Sequence, residues 1–226
     1  MAMSYVIFGV FALLSYLVSA RLKYKFGKYA KVPVNGRMTG CEVAEKMLRD
    51  NGITDVSVRM TDGFLSDHYN PANKTVNLSR NVYEGSNISA AAVAAHECGH
   101  ALQHATAYSM LQLRSKLVPA VNFASMWMQW VLLAGIVFIN VFPSLMLAGI
   151  LLFAVTTLFS VVTLPVEINA SARAVKWLDY AGIVTYDIKP YAVDALKWAA
   201  YTYVIAALGS LAQLVYFILL FLGNRR

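Results

Sequence analysis

The chain has 226 residues, 58% of them hydrophobic and only 14% charged, against roughly 25% charged in an ordinary soluble domain. That balance excludes a disordered chain and argues against a soluble enzyme with no membrane contact. The net charge of +7 reads, in so apolar a chain, as a report of membrane orientation rather than nucleic-acid binding. Two cysteines, Cys41 and Cys98, are too few for a disulfide scaffold.

Three long stretches carry no charge at all: residues 1–20, Leu117 to Val166, and Trp198 to Asn224. About 20 apolar residues cross the roughly 30 Å of a bilayer core, so these runs predict four transmembrane helices. The first is residues 1–20. The second run holds a hairpin at 117–165, with spans near Phe123–Phe142 and Leu145–Leu164 divided by Pro143, a natural helix break. The last span starts at 199, within a closing segment 199–226. A signal peptide carries its positive charge ahead of its apolar run; here Arg21, Lys23, Lys25, Lys28 and Lys31 all follow it, so 1–20 reads as an anchor. The positive-inside rule places that cluster in the cytoplasm. With four spans, segments 21–116 and 166–198 share that side and hold 17 of the 19 basic residues, leaving Arg225 and Arg226 across the membrane.

Residues 21–116 read as a small α+β domain. Thr39 and Glu42 have capping-box spacing, and Val43, Ala44, Met47 and Leu48 form an apolar helical stripe that ends at Asn51-Gly52. Strands are expected at Val56–Met60, Phe64–Tyr69 and Thr75–Leu78. A further helix is expected from the caps around Ser86–Ser89 to about Tyr108.

Inside that helix lies His96-Glu97-Cys98-Gly99-His100, an H-E-x-x-H motif. Residues i and i+4 share a helical face, so His96 and His100 can bind one metal ion while Glu97, set to the side, can act as a general base. Zinc with three protein ligands keeps a position open for water and lowers its pKa to about 7. His104 is the local candidate for the third ligand, but eight residues span about 12 Å of helix, too far from His96. It is left as a pocket or supporting group, or as a packed side chain. Cys98 reads as core packing. The better third ligand is Glu167, the first charge after the hairpin, which needs a partner at the end of a span; the other reading is a helix-dipole carboxylate after a helix start at Pro165.

Other residues carry two readings each. Thr75–Ser79, with Val76, Asn77 and Leu78 at its centre, is either the sheet edge that pairs with a peptide substrate or an internal strand. His68 and Tyr69 either line the cleft and donate to an oxyanion or belong to turn chemistry before Asn70-Pro71. Arg173 orients Glu167, binds a substrate carboxylate, or pairs with Asp179.

H-E-x-x-H with a distant Glu in a Glu-x-x-Ala-Ser helix resembles the gluzincin metalloproteases. The stretches Thr39–Ala44, Leu65–Pro71, Asn77–Arg80, Ala94–His104 and Glu167–Ala174 are closer still to the bacterial membrane neutral zinc metallopeptidases of the YugP type. The resemblance implies zinc ligands at His96, His100 and Glu167, with Glu97 as base. Many gluzincins carry an Asp four residues after the ligand Glu; here Ser171 stands there, a weaker partner for a ligand histidine.

The reading is therefore a mostly α membrane protein: four transmembrane helices plus a small gluzincin-like α+β catalytic domain, holding one zinc per chain. Its expected activity is hydrolysis of peptide bonds in membrane or membrane-near proteins on the cytoplasmic side. Its expected partners are a protein or peptide substrate and the lipid bilayer, with no nucleic acid. The alternative is a non-catalytic membrane scaffold or client-binding protein with a structural zinc.

Overall fold

The computed structural model describes residues 2–63 and 65–224; Phe64, Arg225 and Arg226, which entered the reading above, lie outside the described residues. The chain is mostly helical. In order it forms α1 (Ala2–Tyr29), a 3-10 turn (Asn35–Arg37), α2 (Gly40–Asp50), β1 (Ser57–Thr61), β2 (His68–Asn70), β3 (Thr75–Ser79), α3 (Arg80–Tyr83), α4 (Ile88–Ala105), α5 (Ser109–Val137), α6 (Pro143–Tyr180) and α7 (Lys189–Gly223).

Four helices, α1, α5, α6 and α7, are long and apolar enough to cross a membrane. Each continues as helix beyond its uncharged run. The break expected at Pro143 is present, with Pro143 as the first residue of α6, where its missing N–H costs nothing. Pro165 is different. It does not start a helix but sits inside α6. Proline removes one backbone hydrogen bond, a loss that long apolar helices tolerate when neighbouring groups compensate.

Contacts divide the chain into two compact units. One comprises the chain up to Leu17, Gln112–Pro165, and the chain from Thr202 on. Its buried cluster is Leu132, Met146, Ile150, Phe217 and Phe221. Much of its remaining apolar surface is exposed, including Phe8, Trp127, Trp130, Leu151 and Leu219, the pattern expected of helices solvated by lipid.

The other unit is Val18–Leu111 with Val166–Tyr201. The capping box forms as the spacing predicts: Thr39 Oγ1 accepts from Glu42 N at 3.2 Å, and Glu42 Oε2 accepts from Thr39 N at 2.7 Å. The stripe of α2 (Val43, Ala44, Met47, Leu48) is buried with Ile88, Ala91, Ala94, Ala95 and Cys98 of α4 and with Ala174 and Leu178 of α6. Asn87 caps α4, its Oδ1 accepting from Ala90 N at 3.0 Å. The alanines of α4 carry little side-chain volume, so neighbours reach it from several sides. Trp177 Nε1 donates to Asp50 Oδ2 at 3.2 Å, tying α6 to the end of α2.

The sheet order is β1-β3-β2. β1 runs parallel to β3 from Ser57↔Thr75 to Thr61↔Ser79, and β2 runs antiparallel to it through His68↔Asn77, Tyr69↔Val76 and Asn70↔Thr75. The expectation that Val76, Asn77 and Leu78 form an edge for substrate is therefore corrected. β3 is the central strand, its backbone groups paired on both sides, and Val76 and Leu78 are fully buried. The second strand is also shorter than expected, beginning at His68. Asp67 Oδ1 accepts from Ser79 N at 2.7 Å and so pins the start of β2 to the end of β3.

Candidate metal centre

The H-E-x-x-H sequence lies in the second half of α4. Around that helix His96 and His100 share a face, Gly99 and Gln103 turn to one flank, and Glu97 and His104 to the other, as 3.6 residues per turn dictates. α6 covers the first flank and β2 the second.

α6 comes close because of Gly99. A Cβ there would lie 2.7 Å from Ala170 O, closer than any side chain permits. This approach delivers Glu167, 3% exposed, to the two histidines. Glu167 Oε2 lies 3.3 Å from His96 Nε2 and 3.6 Å from His100 Nε2, and the three donor atoms all lie within 4.8 Å of one another. Tetrahedral zinc bonds of about 2.0–2.2 Å set neighbouring donors about 3.3–3.6 Å apart. The two histidine–carboxylate spacings fit. Two imidazoles and a carboxylate, with no fourth protein donor in the group, match a site that keeps a position open. The helix-dipole reading of Glu167 falls with the helix start at Pro165, since Glu167 lies well inside α6.

The two cluster histidines have partners on their other nitrogens. Ser171 Oγ lies 3.1 Å from His96 Nδ1, so Ser171 meets one of the two cluster histidines. Gln103 Oε1 lies 3.0 Å from His100 Nδ1. The sequence reading missed this contact. Its available signal was one polar residue on the buried, alanine-rich side of α4, three positions after His100. Burial lowers the pKa of His100, but the neighbouring Glu167 carboxylate and the charge of Glu97 outweigh it, leaving the value raised.

Glu97, also buried, faces the other flank. Its Oε2 accepts from the backbone N–H of Tyr69 at 3.0 Å. The Tyr69 hydroxyl lies 2.8 Å from His104 Nδ1, so one residue of β2 holds α4 at two points two turns apart. His104 lies outside the donor cluster.

Three other candidates are not brought to the cluster. His68, the neighbour of Tyr69 in the strand, points to the opposite face, with Nδ1 2.8 Å from Ser66 O and Nε2 3.3 Å from Asn77 Nδ2. Arg173 donates from Nε to Asn169 Oδ1 at 2.8 Å; six residues beyond Glu167, it is about 240° round the helix. Asp179, its other expected partner, is paired with Lys189 at 2.7 Å. Cys98 is fully buried, with Sγ 3.5 Å from Ala44 O, as core packing requires.

Comparison with known proteins points to a zinc family. Residues 4–222 match the sequence family described as "Putative neutral zinc metallopeptidase". The chain is 42% identical over 212 residues to the "Putative membrane protease YugP" of Bacillus subtilis (strain 168), covering 94% of this chain and 93% of that protein. No solved structure matches. A match over nearly the whole chain leaves one conclusion: the chain belongs to this neutral zinc metallopeptidase family.

Proposed function

We propose that the protein is an integral membrane zinc metalloendopeptidase with a gluzincin-like catalytic unit, cutting membrane or membrane-near proteins on the cytoplasmic side. The observation that carries this reading is Glu97 lying beside a three-donor cluster of His96, His100 and Glu167. A structural zinc is closed by four protein ligands and needs no base. The described residues supply three donors, and His104 is engaged by Tyr69. The scaffold alternative therefore has no observation in its favour.

His96, His100 and Glu167 would hold a zinc ion, which would supply Lewis acidity and lower the pKa of water to about 7. Glu97 takes a proton from the attacking water and later returns it to the leaving amine. The backbone of β2 aims Glu97 through the Tyr69 N–H. β2, at the sheet edge, takes the place first assigned to Thr75–Ser79, and pairs with the peptide through backbone hydrogen bonds that give affinity with little sequence preference. The Tyr69 hydroxyl, backed by His104, is the candidate donor to the developing oxyanion. The four long helices cross the bilayer, with the basic cluster after the first one on the cytoplasmic side.

The test measures zinc content and peptide cleavage for purified wild type and Glu97→Gln, against an unfolded membrane protein and casein. The expected result is about one zinc per chain in both proteins and cleavage by wild type only. If wild type binds zinc and cuts neither substrate, the scaffold reading gains. If neither protein binds zinc, the metal site itself is wrong.

A further inference from the structure

We propose that Gln103 is a positioning residue that dictates which nitrogen of His100 is free to bind the metal. The proposal rests on the metal-site reading above and does not depend on peptide cleavage.

Gln103 is fully buried, and its two side-chain ends face partners that cannot be exchanged. Its Nε2 donates to Val166 O at 2.8 Å and to Asn169 Oδ1 at 3.0 Å. Val166 O is a backbone carbonyl and can only accept. The atom facing it must therefore be the amide nitrogen, which makes the atom facing His100 the amide oxygen. Asn169 agrees independently. Arg173 Nε donates to the same Asn169 Oδ1 at 2.8 Å, and a guanidinium has no acceptor, so oxygen must point that way. Arg173, Asn169 and Gln103 thus form a directed chain in which every donor and acceptor is assigned by a neighbour with one option.

The chain ends at His100. The amide oxygen of Gln103 can only accept and lies 3.0 Å from Nδ1 of His100, within hydrogen-bond reach, whereas the acceptor-only Glu167 carboxylate stands 3.6 Å from Nε2, beyond it, so Nδ1 carries the proton. A neutral imidazole has one N–H and one lone pair. The lone pair is then on Nε2, the atom 3.6 Å from Glu167 Oε2 in the donor cluster. His96 lacks this constraint: its Nδ1 faces the Ser171 hydroxyl, which both donates and accepts. The two ligand histidines are therefore unequal, with His100 preset and His96 adaptable. Gln103 also carries the requirement across from α6, because both acceptors that orient it belong to that helix.

The test uses the full-length, metal-free protein in lipid nanodiscs, labelled with 15N-histidine. Four histidines in the chain make assignment by single substitution practical. At mildly alkaline pH, His100 is expected to show a protonated Nδ1 and a bare Nε2. A wild-type His100 with its proton on Nε2, or sampling both forms, overturns the proposal, and this measurement needs no variant to fold. In Gln103→Met the His100 tautomers are expected to mix and zinc affinity to fall about 10–100-fold, the usual cost of losing a partner behind a metal ligand. In Asn169→Leu the Val166 carbonyl still orients Gln103, so the tautomer is expected to persist. A folded Gln103→Met with lowered thermal stability but unmoved tautomer and zinc affinity would show Gln103 to be structural only, and the proposal would fail. Absence of cleavage in wild type with these histidine results intact would count against the peptidase reading alone.

Discussion

Tyr69 gives its backbone N–H to the Glu97 carboxylate, 3.0 Å from Oε2. The proposed base is therefore oriented by a peptide group, which survives any side-chain substitution, while the Tyr69 side chain makes a separate contact 2.8 Å from His104 Nδ1.

This separation predicts a Tyr69→Phe variant that is mild in zinc binding and stability, while cleavage falls about 100-fold or more with the loss of the proposed oxyanion donor. Zinc affinity should match wild type, because Glu97 keeps its donor and the ligands are untouched. Stability should fall by about 1 kcal/mol or less, the net worth of one partly exposed hydrogen bond. His104→Phe should cost a similar amount, and the double variant little more than either single one, since both remove one interaction. Denaturant unfolding of the four proteins reads the cycle; fully additive losses would mean that the two side chains do not act on each other.

Gly99→Ala should damage the metal site without touching a ligand. The added Cβ would stand 2.7 Å from Ala170 O, a backbone atom with no rotamer to yield. Forcing α4 and α6 apart costs about 1–3 kcal/mol and carries Glu167 away from His96 and His100. Zinc titration beside thermal unfolding should show both losses. Wild-type zinc affinity in this variant would contradict the close approach.

Ser171→Ala and Glu167→Gln should rank in a fixed order. Ser171 meets only the far nitrogen of His96, so its loss should weaken zinc binding about 10-fold, the lower end for an outer partner. Glu167→Gln keeps the volume but removes the charged donor, and should weaken zinc by more than the roughly 100-fold upper end. Competition with a chelator of known affinity measures both, and equal losses would place Glu167 outside the ligand set.

Zinc uptake should depend on pH above the range of an ordinary histidine. Glu167 and Glu97 raise the pKa of His100 from its usual 6.5 despite burial. Ligation requires the neutral ring, so protons compete with zinc from a higher pH, and affinity should fall about tenfold per pH unit below the raised value. For the metal-free fold the sign is opposite. A raised folded-state pKa stabilises it fully below the unfolded value, and that contribution is lost as pH rises through the raised one. Calorimetric titration on both sides of neutrality checks the first, and unfolding of the zinc-free protein the second. An affinity that stays flat down to the usual histidine pKa would sink the argument.

The residues that the sequence made legible are those whose signal is local. Thr39 and Glu42 cap α2 within three residues of each other. His96 and His100 share a face because of helical period alone. Glu167 drew notice as an isolated charge after 50 uncharged residues, since a carboxylate in such a setting needs a partner. The residues that were not legible depend on partners far along the chain. Gln103 entered the sequence reading only as one position of the stretch Ala94–His104, and its place beside His100 appears when Val166 and Asn169, some 60 positions away, pack against it.

Sequence by itself determined the apolar helices, the α4 helix and its metal-binding pattern, because hydrophobic period and side-chain chemistry are written in neighbouring residues. Tertiary structure alone decided that β3 is the middle strand and β2 an edge, that α6 runs unbroken through Pro165, and that Gln103 rather than His104 lies against His100. Strand order and helix approach are set by which surfaces bury against one another, and alternation along a strand or around a helix gives a face without naming what that face will meet.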